Sequence, residues 1–409
     1  MSTQTSRQSP SILVVLASCM ALQMTGFVMV LPLFARRFES LGAGVEALGV
    51  SAMAYALTST LAAPFIGMLA DRIGRRPIIL VSLAGCVLAF SGYLFAAASW
   101  LLILLRGLAG VFAAGLLPIM MSIVGDLAPE NRRAQWIGIV NGGASAGWIV
   151  GPLLGGLLYD HFGYVVPCMA SIAMAVGALL LAVFLIHETY TPAARSSHPH
   201  SAWMPGWQAL PTRSTFFLLM LVTFGVMFAW AFIEPQFMFY AYDDLSWTSS
   251  QLGLAMSAYG VALMFGEFAL GRLSDRLGRK PVLVLGLALF SAQFAGLVTF
   301  RDVTWIVVSF IVAGLGNALY DPALSAAILD ITPPEHTAGM LGVKSTGGSL
   351  GSMLGPALVV LLTPFVSPRV VFLIATALVS ILTLASGLVL HPPERIEATH
   401  HISASAVGR

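Results

Sequence analysis

Charge is what this chain has least of. Asp, Glu, Lys and Arg make up 9% of its 409 residues, against about 25% in soluble globular domains, so a water-soluble globule is excluded. The net charge is +2, and no basic run is concentrated enough to follow a phosphate backbone, so no nucleic acid partner is expected. Three cysteines, Cys19, Cys86 and Cys168, stand far apart inside apolar runs without metal-ligand spacing. They read as small core residues, and no metal site is expected. No Gly-Lys pair occurs, which removes the Walker-type phosphate loop. Energy for any work must therefore come from an ion gradient or from another subunit. Gly143-Ala144-Ser145-Ala146-Gly147 and Gly347-Gly348-Ser349-Leu350-Gly351 both spell G-x-S-x-G. Each lies in an apolar helical run with no preceding strand, so neither can be a nucleophile elbow. Neither an enzyme nor a cofactor is expected.

What the chain does have is apolar length. Hydrophobic residues make up 58% and the mean hydropathy is +0.89. A membrane-crossing helix needs about 20 mostly apolar residues, and twelve such spans are predicted, at 12–35, 46–69, 78–97, 101–125, 135–158, 165–187, 214–240, 250–271, 281–299, 304–328, 338–362 and 369–390. The expected class is an all-α membrane protein in a lipid bilayer. Residues 8–35 carry no charge, a stretch longer than the roughly 7–15 apolar residues of a cleaved signal peptide, so the first helix is expected to be retained. With both termini in the cytoplasm, fourteen of the 20 Lys and Arg residues fall inside, as the positive-inside bias requires.

One long polar connection, 188–213, contains Pro192, Pro199, Pro205 and Pro211, which prevent a continuous helix. It reads as a cytoplasmic linker between a bundle at 1–187 and a second at 214–390, with a polar cytoplasmic tail at 391–409. Trp203 and Trp207 are placed to rest the linker on the headgroups, and His198 and His200 read as solvated. The two bundles are copies. At a constant offset of 204, Gly67-Met68-Leu69-Ala70-Asp71-Arg72-Ile73-Gly74-Arg75-Arg76-Pro77 returns as Gly271-Arg272-Leu273-Ser274-Asp275-Arg276-Leu277-Gly278-Arg279-Lys280-Pro281. Tyr55, Gly110, Pro118, Asp126, Gly138, Gly147, Gly151 and Pro152 fall on Tyr259, Gly314, Pro322, Asp330, Gly342, Gly351, Gly355 and Pro356. Two six-helix halves in the same orientation imply a pseudo-two-fold axis along the membrane normal, with a site between them near the midplane.

These residues resemble the major facilitator superfamily over essentially the whole chain. The 67–77 loop matches the family's motif after helix 2, and 271–281 its copy after helix 8. Leu105-Arg106-Gly107 through Gly110 looks like the embedded-arginine motif of helix 4, with Ala109 where a glutamine is often found. Gly138, Gly147, Gly151, Pro152, Gly155 and Gly156 are similar to the antiporter motif of drug:proton efflux branches. The helix 11 copy has Val359 and Val360 in place of the final glycines. By this resemblance Asp71 faces the start of helix 11 and Arg75 pairs with Asp126. The offset then predicts Arg279 with Asp330, and the cytoplasmic gate comprises Gly67, Asp71, Arg72, Gly74, Arg75, Asp126, Asp275, Arg279 and Asp330. The plain alternative is that these arginines only enforce topology. The antiporter glycines are expected to pack helix 5 on helix 8 at a leak-proof seam between the halves.

Ionisable groups inside an apolar run are the best pointers to chemistry. Arg106 and Glu234 come at similar depth, with Glu234 expected to exchange the proton and Arg106 to modulate it. A fixed ion pair, or a Glu234 simply bathed in water at a helix end, is the alternative. Glu267, Asp321 and Lys344 are expected as a static charge cluster within the C-terminal half. In the resembled family helices 1, 4, 7 and 10 line the cavity, so Gln23, Met24, Phe27, Trp230, Phe237 and Tyr240 are the expected walls. The resemblance implies a monomeric secondary transporter of a bacterial cytoplasmic membrane that exports lipophilic drug-like molecules in exchange for protons. A dedicated exporter of one metabolite, lipid or antibiotic, and a membrane sensor without turnover, are the alternatives.

Overall fold

The computed structural model describes residues 9–129, 132–188, 214–270, 273–332 and 337–389. Twelve helices in it are long and apolar enough to cross a bilayer: Ile12–Val30, Val45–Ile73, Arg75–Phe95, Ser99–Leu127, Gln135–Phe162, Val165–Leu185, Thr215–Asp243, Ser249–Leu270, Arg279–Thr299, Val303–Asp330, Gly339–Leu362 and Pro368–Val389. They are called the first to twelfth spans below. At about 1.5 Å per residue, 20 residues cover the ~30 Å hydrocarbon layer. No strand occurs among the described residues. Of the expected linker only Glu188 is described; Trp203, Trp207, His198, His200 and the tail lie outside the described residues.

All twelve expected spans are present, and they differ from expectation mainly where the chain breaks. The first helix stops at Val30, and a short helix, Leu33–Ser40, follows. Pro32, between them, has no N–H with which to continue the ladder. The fourth span is interrupted at Ala114–Gly115 and the ninth at Ser291. Large apolar side chains point outward along the spans, Phe268 being 86% exposed, which suits lipid and not water.

Packing repeats as the sequence does. In the N-terminal half the first span packs on the fifth and sixth, the second on the fourth, and the third on the fourth and sixth. In the C-terminal half the seventh packs on the eleventh and twelfth, the eighth on the tenth, and the ninth on the tenth and twelfth. Every pairing shifts by six spans. The main contacts between halves are fifth on eighth and second on eleventh, a pair that the same shift exchanges. Because successive spans reverse direction, Gly74 after the second span and Gly278 after the eighth emerge together, on what is called here the loop face; the opposite side is the far face.

Candidate functional site

A cavity of about 610 Å³ lies between the halves. Phe27, Tyr55 and Arg106 line it from the N-terminal half, and Trp230, Glu234, Asp321 and Lys344 from the C-terminal half. Contacts that join the halves cluster toward the far face. There, Asp160 at the end of the fifth span accepts from Ser249 N at 3.0 Å, Ser250 N at 2.8 Å and Ser250 Oγ at 2.5 Å. Tyr242 Oη donates to the Pro32 carbonyl at 3.2 Å, and the Arg36 guanidinium sits 4.1 Å over the Tyr242 ring. A methyl added at Gly49 would meet Val360 of the eleventh span at 2.6 Å. Toward the loop face, by contrast, a Cβ at Gly67, Gly138 or Gly342 would meet nothing within 4 Å. The cavity is therefore closed at the far face and open at the loop face.

Arg106 and Glu234 share this cavity from opposite halves, as their matched depth predicts. Arg106 is 4% exposed, and its guanidinium carbon lies 5.5, 5.0 and 4.9 Å from the ring centroids of Phe27, Phe34 and Tyr55. Its Nε and Nη1 have no hydrogen-bond partner. Glu234 is half-buried, and no ion pair joins the two among the described residues, so the fixed-pair alternative is not what is seen. Pro235 follows directly inside the seventh span. It removes the N–H that would bond the Ala231 carbonyl four residues back and so loosens the helix beside Glu234.

The expected charge cluster holds in part, with Glu267 still in electrostatic reach of Asp321. Lys344 Nζ donates to Asp321 Oδ1 at 2.7 Å and to Ser325 Oγ at 2.6 Å. This pair stands on the cavity wall, whereas Glu267 is exposed on the eighth span and does not line the cavity. Of the six expected wall residues, Phe27 and Trp230 line the cavity and the other four do not. Gln23 is buried beside Cys86, Met24 backs onto Gly147, Phe237 packs on Phe310 at 5.1 Å, and Tyr240 on Phe372 at 5.2 Å. Helical spacing identified a stripe, but a helix buried on several sides has apolar residues on faces that do not meet the cavity. Tyr55 is a wall residue that sequence reasoning missed. It stacks on Phe27 at 5.1 Å, and its repeat partner Tyr259 stacks on Trp230 at 6.1 Å and accepts from Asn317 Nδ2 at 2.6 Å. The Tyr55/Tyr259 identity was the signal that could have found it.

At the loop face, Arg75 pairs with Asp126, and Arg279 Nε meets Asp330 Oδ2 at 3.2 Å. Each bond ties the start of one span to the end of another within a single half. Glu188 accepts from the backbone N–H groups of Arg75 and Arg76, each at 3.2 Å, and so caps the third span, whose N-terminal dipole favours an anion. Asp71 and Arg72 are exposed. At the start of the eleventh helix, which Asp71 was expected to face, the side chains of Thr337 and Ala338 lie outside the described residues, as does that of Asp275.

The antiporter glycines face a different neighbour from the one expected. A Cβ at Gly147, Gly151 or Gly155 would run into Met24, Thr25, Val28 or Met29 of the first span, within the same half. Only Gly156 opposes the eighth span, at Ser249 and Ser250. Pro152 reaches that seam through backbone, its carbonyl lying against Gly253 while the next N–H, of Leu153, donates to Ser257 Oγ at 3.2 Å. Small residues remove the side chains that would hold two helices apart, and here the closer approach is fifth on first. The helix 11 copies behave alike, Gly351 and Gly355 backing onto Phe224, Phe228 and Phe232 of the seventh span.

A family model described as Major Facilitator Superfamily matches residues 13–242 and 219–404. The chain is 27% identical over 348 residues to the multi-drug resistance efflux pump PmrA homolog of Lactococcus lactis subsp. lactis, covering 83% of this chain and 84% of that one. It is 29% identical over 316 residues to the tetracycline resistance protein, class G, of Vibrio anguillarum, covering 74% and 77%. In fold it is similar to the crystal structure of a bacterial homolog to the human lysosomal transporter Spinster in an inward-facing, unoccupied conformation, with TM-score 0.75, 16% identity, and 95% and 97% of the chains covered.

Proposed function

Because the chain belongs to the Major Facilitator Superfamily, we propose that it exports lipophilic drug-like molecules in exchange for protons, its two halves rocking about the central cavity. In this reading the loop face is cytoplasmic and both termini lie there. Export as the direction is supported by likeness to efflux and resistance proteins. The observation that carries the reading is the placement of Arg106 and Glu234: unpaired, on opposite halves, in one cavity closed at the far face. A carboxylate in such a place is free to take a proton from whichever side the cavity faces, and relative motion of the halves changes its distance from the guanidinium. Loop-face residues Gly67, Asp71, Arg72, Gly74, Arg75, Asp126, Asp275, Arg279 and Asp330 act as the cytoplasmic gate that closes in the opposite state. The antiporter glycines keep the fifth span tight on the first so that the half moves as one body. One charge crossing the membrane is worth about 2.3 kcal/mol per 100 mV, roughly a fifty-fold gradient of a neutral solute.

The test is flux. Proteoliposomes holding the full chain, with an imposed pH gradient, should concentrate a lipophilic dye, and Glu234→Gln should abolish the response to the gradient. Unchanged proton-driven transport in Glu234→Gln would remove that residue from its assigned role. A narrower reading, export of one antibiotic class, is favoured by likeness to a tetracycline resistance protein; competition by compounds of a single class only would select it.

A further inference from the structure

The export reading leaves open what kind of molecule the cavity holds, and its charges differ in how well they are answered. Lys344 is satisfied by Asp321 and Ser325. Arg106 is not: no acceptor meets Nε or Nη1, and no carboxylate pairs with its guanidinium among the described residues. The residue is nevertheless 4% exposed and part of the cavity wall. Around it stand Phe27, Phe34 and Tyr55 at 5.5, 5.0 and 4.9 Å. Ring faces hold a cation in place through their quadrupoles, and the Tyr93 hydroxyl lies beside the guanidinium, but none of these groups carries the opposite charge. A buried charge without a counter-charge is costly, and an entering anion supplies one. Beside the guanidinium the stacked Phe27 and Tyr55 rings form a flat apolar wall, and Trp230 stacked on Tyr259 forms another on the facing half.

We propose that the cavity selects amphipathic anions, molecules bearing a carboxylate or sulfonate on a flat apolar body, with Arg106 as the residue that binds the anionic group. This rests on the export reading and names the chemical class that the cavity takes.

Three probes of one shape test it on the full chain in nanodiscs: 2-naphthoate, neutral 2-naphthamide and cationic 2-naphthylmethylammonium, with binding read from quenching of tryptophan fluorescence. Charge-assisted hydrogen bonding to a desolvated guanidinium predicts naphthoate about tenfold tighter than naphthamide, with the ammonium weakest. In Arg106→Gln the naphthoate-to-naphthamide ratio should fall to about two. An ammonium that binds as tightly as naphthoate, or a ratio that survives in Arg106→Gln, overturns the proposal. If Arg106→Gln does not fold, the native series alone decides. Selective naphthoate binding without proton-driven flux would defeat the export reading and leave this one standing, whereas flux without anion preference would do the reverse.

Discussion

Gly74 sits at φ 115°, ψ 160°, and Gly278, its repeat partner, at φ 90°, ψ 160°, a region that side chains enter at a cost of about 1–3 kcal/mol. A Cβ at Gly74 would also meet Glu188 Oε2 at 2.6 Å. Gly74→Ala should therefore lower stability by roughly that amount, measured as thermal unfolding in detergent; an unchanged midpoint would contradict the role given to the turn. Two antiporter glycines separate packing from motion. Gly155→Ala drives a methyl into the Met29 carbonyl and should destabilise by about 1–3 kcal/mol. Gly138 faces open space, so Gly138→Leu should leave the melting temperature unchanged while slowing flux, because the clash arises only when the loop face closes. At this scale the sequence was informative where a residue violated its surroundings. Arg106 and Glu234 were visible as charges in apolar runs. Phe237 and Tyr240, apolar among apolar, carried no sign of which face they would take, and both went to the core.

Among the elements, the fifth span packs on the first span of its own half and on the eighth of the other, and its far end carries an asymmetric latch. Asp160 caps the N-terminus of the eighth span across the two halves, whereas the position 204 residues on is Pro364. The mirror contact between the second and eleventh spans is consequently apolar, Gly49 against Val360. Asp160→Ala removes three hydrogen bonds at an exposed site. Discounted for solvent, this is worth about 1 kcal/mol, a roughly fivefold shift toward the state open at the far face. The check is the labelling rate of a cysteine at Leu31, on the cavity wall, by a membrane-impermeant maleimide added from the far side; no increase would mean that the latch does not hold that face. Span number and repeat were legible in the sequence because twelve apolar runs and a gap-free offset leave little room for another reading. The partner of the antiporter glycines was not. A glycine stripe says that something comes close, and only the packed structure says that the first span does so.

As a whole the molecule is one bundle used twice, with its charged chemistry placed asymmetrically. At the repeat offset, Arg106 corresponds to Phe310 and Glu234 to Val30, so duplication built the walls and later divergence placed the cavity's unpaired charges. The account as a whole requires that the halves move as bodies, opening one face as they close the other. The three cysteines are all buried, so nitroxide labels can be directed to introduced cysteines at exposed positions: Ile73 with Leu277 on the loop face, and Ser40 with Ser367 on the far face. The decisive measurement is the pair of inter-label distances by electron spin resonance, taken as pH is lowered and substrate added. The account predicts opposite changes in the same sample, the loop-face distance shortening as the far-face distance lengthens. Distances that stay fixed, or that change together in one direction, would contradict it.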